Sequence, residues 1–190
     1  MNVALKEWSS VIAALDRGLQ IFVLRKGGIV EERRGFELRH REFLLFPTFA
    51  HQHARYLKPE HEALALEPEN GGRIRISHAA QVVDILAAPH SASTFRASDN
   101  LHIWNGAFIL QRYEYRPDLP LYVIVLRILR LKEPQEIPAR PSYAGCKSWV
   151  NLTEAISLGE AQPVLPESQF EAQRHDLVDR MSRRSGSFEH

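Results

Sequence analysis

The stretch Leu19-Gln-Ile-Phe-Val-Leu24, which runs directly into Arg25-Lys-Gly-Gly28, carries the clearest fold signal in this chain. A compact run of β-branched and aromatic residues is typical of a buried strand, and a glycine pair ends such a strand. Before it, the apolar spacing over residues 3–15 predicts a helix that stops at Gly18. A helix followed by a buried strand indicates a protein of mixed structure.

The rest of the chain adds strands without regular strand–helix alternation. We predict strands at 43–46, 73–86 and 147–152, an antiparallel hairpin of 107–116 with 121–131, and helices at 49–57 and 166–183. Residues 121–126 are the most apolar run, so we expect them at the centre of the sheet. About six strands with three or four helices favour an α+β fold, a small mixed or antiparallel β-barrel with flanking helices.

Length and composition indicate an ordinary globular protein. The 190 residues, 44% hydrophobic and 25% charged, predict a single domain over 1–183 with a disordered tail at 184–190. The single cysteine excludes an intramolecular disulfide and a cysteine-based zinc cage. Because the apolar stretches are too short to cross a bilayer, we expect a cytoplasmic protein with no membrane partner.

The charge distribution is uneven although the formal net charge is only +1. Residues 17–58 contain nine Lys or Arg against four acids, whereas residues 59–70 contain four glutamates and no base. A basic segment beside an acidic one fits an anion-binding face, and it equally fits ordinary solvated surface.

Two segments carry the residue types that bind nucleic acid. Arg25, Lys26, Gly27 and Gly28 combine exposed cations with a flexible backbone, which suits a phosphate. Aromatic and amide side chains suit an unstacked base, and the candidates for such a cleft are Phe46, Thr48, His51, Gln52 and Trp149. The alternative is that Phe46 and Trp149 are core residues.

Several enzyme signatures are absent from the sequence. There is no phosphate-cradling glycine loop and no nucleophile elbow, so the catalytic residues are unknown. His51 and His53 point about 200° apart on a helix, so we predict no metal site and no cofactor.

The chain resembles an uncharacterised bacterial family, domain of unknown function 1802. The resemblance covers most of residues 4–170 and is carried by Lys6-Glu-Trp8, Leu24-Arg-Lys-Gly-Gly-Ile29, Phe43-Leu-Leu-Phe-Pro-Thr48 with His51-Gln52, Leu121-Tyr-Val123, and Tyr143-Ala-Gly-Cys-Lys-Ser-Trp-Val150. Some relatives are joined to restriction-endonuclease-like domains, so the resemblance implies a nucleic-acid context linked to restriction or defence.

A looser resemblance concerns the fold. A helix followed by Gly18-Leu-Gln-Ile-Phe-Val-Leu-Arg25 is similar to the opening of ASCH-type, PUA-like domains, which lead into a small β-barrel. The ASCH pattern has lysine and acidic residues where this chain has Gln20 and Val23, so only Arg25 is carried over as a site residue. PUA-like modules commonly bind RNA or modified bases.

Three hypotheses follow. The first is a module that binds nucleic acid or a modified base. The alternative is a metal-dependent nuclease or small nucleotide hydrolase that would bring Glu7, Glu37, Glu42 and His51 together. The third is an interaction subunit that acts through its C-terminal helix. The sequence leaves open the ligand, any catalysis, the oligomeric state and the protein partner.

Overall fold

A computed structural model describes residues 1–26, 39–49, 54–65, 72–145 and 147–182. The predictions for Gly27, Gly28, His51 and Gln52, and for the tail at 184–190, lie outside these described residues. No helix within the described ranges is long and apolar enough to span a bilayer.

The described strands form one mixed sheet. They are β1 (Val3–Trp8), β2 (Phe22–Lys26), β3 (Glu42–Thr48), β4 (Arg73–Ala87), β5 (Leu121–Pro138), β6 (Trp149–Asn151) and β7 (Gln162–Pro163). The strand order is β2-β5-β4-β3-β1-β6, and β7 pairs with β5 beside β2. β1 runs parallel to β3, and the other described pairs are antiparallel.

Four helices pack around this sheet in the described part of the chain: α1 (Ser9–Asp16), α2 (Ala92–Phe95), α3 (Gly106–Glu114) and α4 (Glu167–Ser182). Short 3-10 turns lie at Ala54–Tyr56, Pro59–Leu64, Arg96–Leu101 and Pro141–Tyr143. The predicted α+β class with a mixed sheet and flanking helices is confirmed. The described pairings leave the sheet open between β2 and β6, so they do not form the closed barrel that the sequence predicted.

Two predicted elements were wrong, and a third is described only in part. Residues 3–8 form a strand, because β1 lies between β3 and β6 and its backbone groups are paired on both sides. Residues 106–114 form a helix rather than one arm of a hairpin, and the Asn105 side chain caps it by accepting from the Phe108 N–H at 3.0 Å. The strand β3 includes Thr48, and the described part of the helix predicted over 49–57 contains only the turn Ala54–Tyr56.

The strand β5 also differs in place and length from its prediction. It continues to Pro138 through two register shifts against β4, and it lies second in the sheet order rather than at the centre. Its apolar first half is nevertheless buried, and its backbone groups pair with β2 on one edge and with β4 on the other.

The core lies on both faces of the sheet. In β3, Phe43 and Leu45 belong to one buried cluster, whereas Leu44 and Phe46 belong to the other. This alternation follows from the two-residue period of a strand. Residues of both clusters line the cleft described next, among them Phe108 of the first cluster and Phe46 of the second.

Candidate functional site

A cleft of about 820 Å³ opens where the ends of three strands approach α3 and the segment 139–148. β1, β2 and β3 supply one wall, with residues 6–8, 24–26, 46 and 48. The helix α3 and the residues that follow it supply a second part of the lining. The cleft therefore depends on segments that are far apart in the sequence.

The lining of this cleft is strongly cationic. Its single lining carboxylate among the described residues is Glu7, against seven cations: Lys6, Arg25, Lys26, Arg112, Arg116, Arg140 and Lys147. It also holds six aromatic side chains: Trp8, Phe46, Trp104, Phe108, Tyr115 and Tyr143. A concave surface lined by one sign of charge concentrates ligands of the opposite sign. A lining of this kind has the chemistry that suits an anion with an aromatic or planar part.

Arg25 joins β2 to β1 across the open side of the sheet. Its Nη2 lies 2.8 Å from Glu7 Oε2 and donates to the Lys6 carbonyl at 2.9 Å. Its Nη1 donates to the Leu24 carbonyl at 3.1 Å, and its buried Nε has no hydrogen-bond partner among the described residues. Glu7 Oε1 in turn accepts the Trp8 backbone N–H at 2.9 Å. Arg25 is thus held in one orientation beside the cleft.

Lys26 is buried rather than exposed, which corrects the sequence-based expectation of two exposed cations. Its side chain is only 6% exposed, and its ammonium group donates to the Tyr113 carbonyl. Burial, and then the charge of Arg112, lower the pKa of Lys26, while Asp118 acts in the opposite direction. Lys26 therefore contributes positive charge from the inner wall.

The outer rim of the cleft consists of the exposed side chains Arg116, Arg140 and Lys147 with Tyr115 beside them. Tyr115 is 55% exposed, so part of its ring is open to solvent beside these cations. Arg116 has a φ of 47°, a left-handed conformation that costs energy for a residue other than glycine. Backbone strain of this kind often occurs where a side chain must be presented for function.

The predicted aromatic residues separate in the structure. Phe46 lies in the cleft wall, with the Tyr143 ring centroid at 5.8 Å and the Lys6 ammonium at 5.8 Å from its ring. Trp149 does not line the cleft, since its ring packs against His40 and Phe43, each with its centroid at 5.1 Å.

The structure thus brings four predicted site residues to one cleft: Arg25, Lys26, Phe46 and Thr48. It also places there residues that sequence reasoning did not assign to the binding site, among them Arg112, Tyr115 and Arg116. The signal that could have found them was Asn105, a preferred helix N-cap residue, because a helix starting there directs Arg112 and the following turn toward β2.

The carboxylates proposed for an enzyme do not converge in the described structure. Only Glu7 lines the cleft, while the Glu42 carboxylate accepts a hydrogen bond from the Gln81 side chain at 3.1 Å. Within the described residues no group of three His, Cys, Asp or Glu side chains is placed to hold a metal ion. Glu37 and His51 lie outside the described residues.

Comparisons with known proteins place this chain in a family. A comparison with curated proteins gives no significant match. Among solved structures, the chain is similar to the crystal structure of ASCH from Zymomonas mobilis, with 11% identity, 93% coverage of each chain and a TM-score of 0.43. The family model described as "Domain of unknown function (DUF1802)" matches residues 4–176. This chain therefore belongs to the DUF1802 family, as the sequence motifs predicted.

Proposed function

We propose that the cationic cleft binds single-stranded nucleic acid, with phosphates at the rim and an unpaired or modified base against the aromatic wall. The observation that carries this proposal is the combination of seven cations, one carboxylate and an exposed tyrosine around one cleft. The formal net charge of the whole chain is only +1, so the described cleft lining is far more positive than the chain as a whole.

Each part of the cleft has a role in this proposal. The rim cations Arg116, Arg140 and Lys147 contact successive phosphates, because they are exposed and can exchange hydration for an ion pair. Tyr115 offers a ring face on which one base stacks, an interaction worth about 1–3 kcal/mol per base. Arg25 and Lys26 give the inner wall its positive charge. They contribute to the electrostatic attraction of the ligand rather than to its first contact with the protein.

The test compares two double variants that remove the same charge. Arg140→Gln with Lys147→Gln removes two cations from the rim, whereas Arg75→Gln with Lys132→Gln removes two exposed cations outside the cleft. Binding of a fluorescent single-stranded RNA or DNA 12-mer is measured by anisotropy at several salt concentrations. The rim variant is expected to bind more weakly and to lower the salt slope by about 1.4, since each phosphate contact contributes about 0.7 on a single strand.

A third variant separates stacking from charge. Tyr115→Ala is expected to weaken binding about tenfold while leaving the salt slope unchanged, because a ring face releases no counterions. Wild-type protein that binds neither RNA nor DNA at low salt would refute the proposal. Equal losses in the rim variant and its control would show that the cleft is not the binding surface.

A further inference from the structure

The inner wall of the cleft contains a group of charged side chains that is separate from the cations of the rim. We define the inner corner as Arg25, Lys26 and Arg112 with the carboxylate of Glu7. Arg25 is paired with Glu7, and Lys26 donates to a backbone carbonyl. Arg25 leaves only its Nε without a partner, whereas Arg112 forms no hydrogen bond through any of its guanidinium nitrogens within the described residues.

Arg112 is half-buried and makes no hydrogen bond or ion pair with the described residues. Its guanidinium carbon lies 5.7 Å from the centroid of the Tyr115 ring. A guanidinium that rests on a ring face keeps its in-plane N–H groups available for a bidentate acceptor. The nearby Glu7 carboxylate is engaged by Arg25 and by the Trp8 backbone N–H, so the donor fork of Arg112 bonds to none of the described residues.

The inner corner also has more positive than negative charge. Three cations face one lining carboxylate, which leaves an excess of two positive charges. Burial, and then the charge of Arg25, lower the pKa of Arg112, although an arginine stays protonated at neutral pH. Asp118 also acts on Lys26, but it is exposed and does not line the cleft, so solvent screens its charge.

We propose that the inner corner binds a phosphate monoester, so that the cleft holds the terminal phosphate of a nucleic-acid strand. This inference rests on the proposed function and narrows its ligand. An internal phosphodiester carries one negative charge, whereas a monoester approaches two at neutral pH and offers three acceptor oxygens. The monoester therefore matches both the excess of two charges and the unused fork of Arg112.

The experiment uses one oligonucleotide sequence in three forms: with a 5′-phosphate, with a 3′-phosphate, and with hydroxyl groups at both ends. An internal fluorophore reports binding by anisotropy. One phosphorylated form is expected to bind about tenfold more tightly than the hydroxyl form, which is the contribution typical of hydrogen bonds to a charged group. Arg112→Gln is expected to abolish this difference.

Two controls keep the result specific. Arg75 follows the cleft residue Ile74 in β4 but does not itself line the cleft. The Arg75→Gln protein is therefore expected to retain the difference in affinity between the phosphorylated and hydroxyl forms. Arg112→Lys keeps the positive charge but lacks the planar pair of N–H donors, so it is expected to retain only part of this difference in affinity. Inorganic phosphate alone is expected to compete weakly, because it lacks the base that stacks on Tyr115.

The outcomes distinguish the two proposals. Equal affinity for the three forms, with binding still present, overturns the terminal-phosphate inference and leaves the proposed function standing. Failure to bind any form overturns the proposed function itself. Competition by inorganic phosphate as strong as by the phosphorylated strand overturns the assignment of the corner to a strand end.

Discussion

Replacement of Glu7 by glutamine is expected to lower stability and raise affinity for anions at the same time. Glutamine preserves the shape of the side chain and an acceptor for the Trp8 N–H, but it removes the charge that lies 2.8 Å from Arg25. Removing one partner of a buried ion pair typically costs about 3–5 kcal/mol.

The cost here should be lower than that range. Arg25 is 15% exposed, and its hydrogen bonds to the Lys6 and Leu24 carbonyls remain. We therefore expect the free energy of unfolding to fall by about 2–3 kcal/mol. For a domain of this size, that corresponds to a drop in Tm of roughly 4–12 °C.

The effect on binding has the opposite sign. Glu7 is the single lining carboxylate of the described cleft, so its loss raises the charge of the cleft by one. A unit charge about 8 Å from a phosphate at an effective dielectric constant of about 40 is worth about 1 kcal/mol. Affinity for a single-stranded oligonucleotide should therefore rise about fivefold.

Urea denaturation and fluorescence anisotropy measure the two effects, and Glu136→Gln is the matched control. Glu136 pairs with Arg73 at 3.0 Å, but both side chains are about half exposed, so its loss should cost less than about 0.5 kcal/mol and leave binding unchanged. Weaker binding by a folded Glu7→Gln protein would refute the charge argument. Unchanged stability would refute the role assigned to the Arg25–Glu7 pair.

Two other substitutions test the strained backbone at Arg116 and the buried imidazole of His102. Arg116→Gly should raise the free energy of unfolding by about 0.5 kcal/mol because it relieves the φ of 47°, while it weakens nucleic-acid binding; a loss of stability in thermal melts would contradict this. Burial, and then the charge of Lys58, lower the pKa of His102 to about 4 in the folded protein, below its value of about 6.5 in the unfolded chain. The neutral, buried imidazole of His102 therefore contributes fully to stability above pH 6.5, and this contribution is lost as the pH falls toward 4. Relative to His102→Leu, the wild type should therefore lose about 2 kcal/mol between pH 7 and pH 5 in urea denaturation, and identical pH profiles would refute this assignment.

Local sequence patterns predicted the elements whose apolar residues fit the period of one kind of structure only. The alternation in 73–86 corresponds to β4 (Arg73–Ala87), and the apolar stripe in 166–183 corresponds to α4 (Glu167–Ser182). The strand β1 was missed because its apolar positions fit a helix as well as a strand. Its partners β3 and β6 start about 40 and 145 residues away, and only their pairing selects the extended form.

The sequence by itself determined the α+β class, the family, and two of the segments that reach the cleft, because hydrophobic periodicity and short motifs are local properties. Only the tertiary structure decided that Arg112, Tyr115 and Arg140 line the same cleft as Arg25. The tertiary structure also buries Lys26, and it packs Trp149 against Phe43, outside the cleft lining. The physical reason is that side-chain burial and charge balance depend on which distant segments pack together.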